Sequence, residues 1–305
     1  MLNMKRNLIT SVSIICLCFI PFSGLQAQEI RFTSWNIEHL AEENGAGCVP
    51  RHDSDYVKLQ EFAVGLNADV VALQEVENMA AVARVFPEDN WDIILSKRPV
   101  SRTYSCRGSG FESTQQRVAI AIRKGLTYED LGSFEELGLK REGLRYGVQI
   151  RILGEIDTVD VMAVHLKSGC FVDDFSSSDR SACEVLEQQV PVLDHWIEAH
   201  VLNEQKFVVL GDFNHRLANK ENKMWQILSE IRGVPLEISN SMQDIMGCHP
   251  RYPAPIDHII MGPQASGLKV VGSEAVHYFP KKLEEMVEDD MLSDHCPISV
   301  VLKLL

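Results

Sequence analysis

Residues 207–214 read Phe207-Val208-Val209-Leu210-Gly211-Asp212-Phe213-Asn214. Four apolar residues in succession, two of them β-branched, fit a short strand buried on both faces. Gly211 closes the run, and Asp212 and Asn214 then stand on one side of an extended turn. An Asx-type turn would use the same two residues.

The same signature, a polar residue ending or opening a β-like run, recurs along the chain. Strands are expected at Glu29 to Trp35, Asp69 to Gln74, Trp91 to Leu95, Arg117 to Arg123, Val159 to His165, Phe207 to Leu210, Ile256 to Met261 and Ile298 to Leu302. Asn36 and Glu38 follow the first of these, Glu75 follows the second, and His165 ends the fifth. Asp257 and His258 open the Ile259-Ile260-Met261 run, while Asp294 and His295 precede Pro297-Ile298-Ser299-Val300-Val301. Between the strands, Tyr56, Leu59, Phe62, Ala63 and Leu66 recur at helical spacing behind Asp53 as a cap. Leu186, Val190, Leu193, Ile197 and Val201 do the same, and Pro191 predicts a kink or a new start in that helix. Polar loops at 41–55, 96–116 and 169–182 fall near strand ends, where sites are usually built.

The chain has 305 residues, 45% hydrophobic and 24% charged, the composition of a globular protein with a substantial core. Lys5 and Arg6 precede an apolar run from Leu8 to Phe22 and the segment Ser23-Gly24-Leu25-Gln26-Ala27. That pattern predicts a signal peptide over 1–27 and one domain over 28–305, exported to the periplasm or the extracellular space. No stable membrane span is expected after cleavage. Loss of the two leader cations takes the net charge from −14 to −16, so the mature chain repels polyanions at long range. Six cysteines remain, at 48, 106, 170, 183, 248 and 296, and an oxidising compartment favours disulfides over the weaker zinc reading. Cys170 and Cys183 flank one polar loop and are expected to pair. Cys48 and Cys106 come next, and Cys248 and Cys296 are left unassigned, with Cys296 able simply to pack beside His295.

The residue types at these strand ends suit one chemistry. Glu75, Asp294 and Asn36 offer the carboxylate and amide oxygens that a hard cation prefers. His295, with Asp257 elsewhere in the chain, supplies a base whose imidazole a carboxylate can orient. Taken alone, each has a plainer explanation: Glu75 as a solvated strand end, His295 as a structural histidine.

Taken together, Ser34-Trp35-Asn36-Ile37-Glu38, Leu73-Gln74-Glu75-Val76, Ala163-Val164-His165-Leu166, Gly211-Asp212-Phe213-Asn214, Ile256-Asp257-His258-Ile259 and Ser293-Asp294-His295-Cys296-Pro297 resemble, in order and spacing, the motif set of the endonuclease/exonuclease/phosphatase superfamily. The resemblance implies a four-layer α/β sandwich, with two packed mixed β-sheets flanked by helices and a site at one edge. It implies a Mg²⁺-dependent phosphodiester hydrolase, with Mn²⁺ or Ca²⁺ as alternative ions. By motif, Glu75 is the principal metal ligand, Asn36 lies nearby and Asp294 is a metal-facing or orienting acid. His295 is the base, Asp257 holds its other nitrogen, and Asp212 orients the water or assists the leaving oxygen. Asn214 and His165 stabilise the charged phosphorane.

Within that class a nuclease acting on DNA or RNA is the leading expectation. Arg102, Arg107 and Arg117, with Lys97 and Arg98, make a basic cluster that includes Tyr104 as a stacking surface. A solvated surface loop explains the same cluster. A lipid phosphoesterase of sphingomyelinase type, or a small-molecule phosphoesterase, is the alternative. Ile256-Asp257-His258 stands where inositol-phosphate phosphatases carry Cys-Asp-Arg, which argues against that branch. A secreted binding protein without catalysis is the remaining reading, and the complete motif set opposes it.

Overall fold

Apolar side chains alternate between two partners along the central strands, and that alternation builds the layers. The computed structural model describes residues 27–279 and 291–305; the leader expected over 1–27 lies outside them but for Ala27. The first mixed sheet contains β1 (Gln28–Leu40), β2 (Val70–Val76), β3 (Trp91–Leu95), β4 (Arg117–Arg123), β13 (Ala275–Val276) and β14 (Ile298–Leu304), in the order β13-β14-β1-β2-β4-β3. The second contains β5 (Tyr128–Phe134), β6 (Gly147–Leu153), β7 (Thr158–His165), β8 (Phe207–Asp212), β11 (Ser239–Asn240) and β12 (Asp257–Met261), in the order β11-β12-β8-β7-β6-β5. A hairpin of β9 (Glu230–Ile231) and β10 (Val234–Pro235) stands apart.

Ile30, Phe32, Val70 and Ala72 share one buried core with Val161, Ala163, Val208 and Leu210, so these faces of the two sheets pack together. The intervening residues face outward. Trp35, Val71 and Leu73 pack on Tyr56, Leu59 and Ala63 of α1 (Asp53–Gly65) and on Ala81 and Val82 of α2 (Met79–Ala83). Met162, Val164, Phe207 and Val209 pack on Leu186, Val190 and Leu193 of α3 (Ser181–Leu202) and on Met224 and Leu228 of α4 (Lys223–Leu228). Helix, sheet, sheet and helix make the expected four-layer α/β sandwich. Each fully buried Leu, Ile, Val or Phe stabilises it by roughly 1.5–3 kcal/mol.

Two local expectations change. α3 runs unbroken through Pro191. Pro191 and Glu187 both lie on the exposed face, where water can take the carbonyl that the missing N–H leaves unbonded. At α1 the cap is His52, whose backbone N–H donates to the Asp55 carboxylate at 3.1 Å. Asp53 is already helical, and its carboxylate accepts instead from Arg84 at 2.7 Å and Asn44 at 3.0 Å.

Candidate active site

Strand register gathers the acidic residues of the second sheet. β7 and β8 are parallel with His165 opposite Asp212, and β12 is antiparallel to β8 with Asp257 opposite Asp212. Gly211 permits this approach. Its φ is 152°, and a Cβ there would lie 2.0 Å from the Val164 carbonyl oxygen.

Asp212 is buried where the two sheets meet. Its Oδ2 accepts from Nδ2 of Asn36 on the first sheet at 3.1 Å and from Nδ2 of Asn214 at 3.0 Å, while Oδ1 accepts the Asn214 backbone N–H at 2.7 Å. His165 Nε2 lies 3.4 Å from Oδ2. Burial pushes the Asp212 carboxyl up to about 7; His295 opposes this and Asp257 adds to it. Burial, followed by the charges of Arg145 and His295, holds His165 well below the usual imidazole value, so its ring is neutral.

Asp257 Oδ2 lies 2.6 Å from His295 Nδ1, leaving Nε2 to face Asp212 and Asp294, each at 3.9 Å. Burial favours the neutral ring. Asp257, Asp212 and Asp294 outweigh it and raise the His295 pKa well above its ordinary value. Ser293 Oγ fixes this segment on β1 by donating to the Asn36 carbonyl at 2.6 Å and accepting the His295 N–H at 3.2 Å.

On the other side, Glu75 Oε2 accepts from the His39 N–H at 3.2 Å and from Gln116 Nε2 at 3.0 Å, and Gln116 Oε1 accepts from Arg145 at 3.1 Å. Glu75 Oε1 lies 4.0 Å from His165. Glu38 accepts the Asp294 N–H at 2.9 Å, and Asn36 Oδ1 accepts the Glu38 N–H at 3.1 Å. Burial and then the Asp294 charge raise the Glu38 carboxyl. Burial, with Glu75 adding and His295 opposing, raises that of Asp294. Glu38, Glu75 and Asp294, with the Asn36 amide oxygen, offer on this side the oxygen donors that a hard divalent cation prefers. Among the described residues, Asp212, Asp257 and His295 are the group of three whose ligand atoms, within 4.8 Å of one another, could hold a cation.

The backbone is strained at the same place. Glu38 (φ 51°), His39 (49°), Glu75 (62°) and Asn214 (53°) are all left-handed, at a cost on the order of 1 kcal/mol each. Arg51 pins the first two. Its buried guanidinium donates to the carbonyls of Ile37 (3.2 Å), Glu38 (2.7 Å) and Leu292 (3.1 Å).

The structure thus brings Asn36, Glu75, His165, Asp212, Asn214, Asp257, Asp294 and His295 together. Glu38 stands in sequence at a strand end and at the close of the first motif, without a role assigned to it; His39, Arg51, Gln116 and Arg145 carry no sequence signal, because they sit in loops or strand margins without a motif. Within the basic cluster, Tyr104 has its ring 6.4 Å from that of His39. Arg107 is exposed on the same loop, and Arg102 is exposed with Nε 3.7 Å from Glu142. The Arg117 guanidinium, half-buried, donates to the carbonyls of Glu77 at 2.6 Å and Arg98 at 3.4 Å and so braces the loop. Arg98 is likewise turned inward, onto Ser101 and Gln115.

Three disulfides hold the rim: Cys48–Cys106, Cys170–Cys183 and Cys248–Cys296. The first two are the pairings expected from sequence, and the third places Cys296 in a bond rather than merely beside His295. They fit an oxidising environment. No helix among the described residues is long and apolar enough to cross a membrane.

Among solved structures, the chain is similar to an endonuclease/exonuclease/phosphatase from Beutenbergia cavernae DSM 12333 (TM-score 0.56, 16% identity, 90% of this chain and 72% of that one). It is similar to one from Bacteroides vulgatus (0.57, 18%, 91% and 100%). A third is the 3′ phosphatase NExo from Neisseria, bound to a product DNA hairpin (0.55, 16%, 89% and 98%). At these identities the likeness concerns the fold. No curated protein sequence matches the chain. The sequence profile of the Endonuclease/Exonuclease/phosphatase family matches residues 33–295, nearly the whole sandwich with every residue of the site, and the chain belongs to that family.

Proposed function

We propose that this chain, exported after removal of residues 1–27, is a divalent-metal-dependent hydrolase that cleaves a phosphodiester by direct water attack. The observation that carries this reading is the pairing of Asp257 with His295 Nδ1 at 2.6 Å, which turns Nε2 toward Asp212 and Asp294. His295 Nε2 accepts the proton of the attacking water, and Asp257 fixes the ring and stabilises its charge. Asp212, with its carboxyl near neutrality, holds the proton that the departing alcohol oxygen needs. Neutral His165 would donate to the phosphoryl oxygens, and Asn214, whose Nδ2 donates to Asp212 Oδ2 and the Leu166 carbonyl, would support the charged phosphorane by holding Asp212 in place. Asn36, Glu38, Glu75 and Asp294 would hold the ion, Mg²⁺ in the first instance and Mn²⁺ or Ca²⁺ in its place. When bound, the cation neutralises charge on the phosphoryl oxygens and the acidic group, and so relieves part of the field that raises His295. Displacement is in line and inverts phosphorus, with no covalent enzyme intermediate.

Nucleic acid, DNA or RNA, is the leading substrate. Tyr104 beside the site and Arg102 and Arg107 on the same loop support it. A lipid or small-molecule phosphoester is the second reading, favoured by an apolar groove that opens onto His295. Purified mature protein incubated with DNA, RNA, sphingomyelin and phosphomonoesters, with and without Mg²⁺, tests the proposal. Cleavage of a diester that needs the ion is expected. Activity unchanged in excess chelator, or equal in His295→Ala, overturns it.

A further inference from the structure

A groove of about 700 Å³ adjoins Asn214, Asp257, Asp294 and His295, with a lining that is largely apolar. Its inner wall carries Met242, fully buried, and Ile245, and its mouth carries Phe171 and Tyr252, 63% and 67% exposed. Neither large apolar side chain at the mouth is accounted for by the core or by the proposed hydrolysis. The walls are also fixed covalently. Cys170–Cys183 ties the loop carrying Phe171 to the start of α3, and Cys248–Cys296 ties the loop carrying Ile245 and Tyr252 to the residue after His295. A wall ordered in advance does not have to be ordered by its ligand.

Resting on the phosphodiester reading above, and taking up its second substrate class in place of nucleic acid, we infer that this groove receives an apolar alkyl or aryl ester group of the substrate, and so selects small phosphodiesters with one hydrocarbon-rich substituent. A polyanionic strand lacks such a group. The groove sets Met242, Ile245 and Phe171 beside its cations Arg216 and Arg251 in a largely apolar lining, the chain carries a net charge of −14, and Arg98 and Arg117 are turned inward. A hydrocarbon group gains from leaving water by about 0.8 kcal/mol for each methylene buried, which is roughly fourfold in affinity.

Binding and turnover are measured separately. Hexylphosphonate and methylphosphonate are titrated calorimetrically into the Mg²⁺-supplemented protein, and the hexyl compound is expected to bind at least tenfold tighter. In Phe171→Ser/Tyr252→Ser that preference should fall to within about threefold, with methylphosphonate binding unchanged. In parallel, hexyl and methyl 4-nitrophenyl phosphate share one leaving group, and kcat/KM should favour the hexyl ester by a similar factor. Equal binding of the two phosphonates overturns the inference, as does a preference that survives in the double variant. So does an oligonucleotide that displaces hexylphosphonate and itself loses affinity in the double variant. A hexyl preference in binding without hydrolysis of either ester supports the groove and defeats the catalytic proposal instead.

Discussion

Asp212 and Asp257 are direct partners across β8 and β12, yet they serve opposite sides of one imidazole: Asp257 takes Nδ1 of His295 at 2.6 Å, and Asp212 lies 3.9 Å from Nε2. A single rung of sheet therefore supplies both the group that orients the base and the group that faces its working nitrogen. The ring joins from the other sheet, through the segment before β14. Catalysis under the proposed mechanism depends on how the two sheets are packed, and not on one loop.

His295→Ala should accordingly lower kcat by about 10²–10⁴, the usual contribution of a positioned base. Glu75→Ala should lose activity to a comparable degree, and excess EDTA on the parent protein should reproduce the Glu75 loss. Circular dichroism should show both variants folded. Full activity in either variant would contradict the roles assigned.

The layers and most of the site were legible in sequence because their residues sit where a periodic apolar run stops. Val161 to His165 and Val208 to Asp212 announce both the strand and the polar end that it presents. β5 was not legible: it is an edge strand with Glu129 and Asp130 exposed and a register shift between Asp130 and Gly132, so no alternation marks it. β6 does alternate, through Val148, Ile150 and Ile152, and that signal was available. Arg51 and Gln116 were invisible for another reason. Each acts through a backbone carbonyl or a neighbouring side chain that only the folded chain brings near. The direction of Arg117 is likewise a tertiary fact, set by the Glu77 carbonyl across the sheet edge.

Arg51 holds Glu38 and the segment before Asp294 through backbone carbonyls, so Arg51→Met should act on the proposed cation site without touching the base. Several-fold weaker Mn²⁺ binding by calorimetry is expected, with kcat at saturating metal less affected. Loss of charged hydrogen bonds in a buried setting should also cost about 1–3 kcal/mol of stability. Unchanged metal affinity in a folded variant would reduce Arg51 to a structural role.

Asp194, on α3, has a buried Oδ1 without a hydrogen-bond partner, and burial with Glu198 nearby pushes its carboxyl up to about 7. A folded-state pKa above the unfolded one means that the protonated form is favoured by folding. The contribution is fully present below about pH 3.8 and is lost as pH rises through about 7. Asp194→Asn should therefore match the parent near pH 4 and be the more stable protein at pH 8.5, by about 1–2 kcal/mol after screening by water at this partly buried position. Thermal unfolding at the two pH values checks this. A variant less stable than the parent at pH 8.5 would mean that the carboxylate is compensated there.

The basic loop decides between the two substrate readings, because its exposed cations are few. With Arg98 and Arg117 committed to the fold, Lys97, Arg102 and Arg107 remain on the surface, and Arg102 already has Glu142 beside it. Long-range repulsion from the acidic chain is screened beyond ~8 Å at physiological salt, so a strand held near the site would feel chiefly local charges. If DNA or RNA is the substrate, Arg102→Glu with Arg107→Glu should raise KM for it on the order of tenfold and flatten its dependence on salt, because fewer phosphate charges are then neutralised by the protein. A small chromogenic phosphodiester, which needs only the metal-side acids, His165, Asn214 and His295, should be hydrolysed as before. Equal losses on both substrates would show that the loop supports the site's structure. No loss on either would remove the loop as a reason to prefer nucleic acid, and would leave the apolar groove beside His295 as the feature that sets specificity.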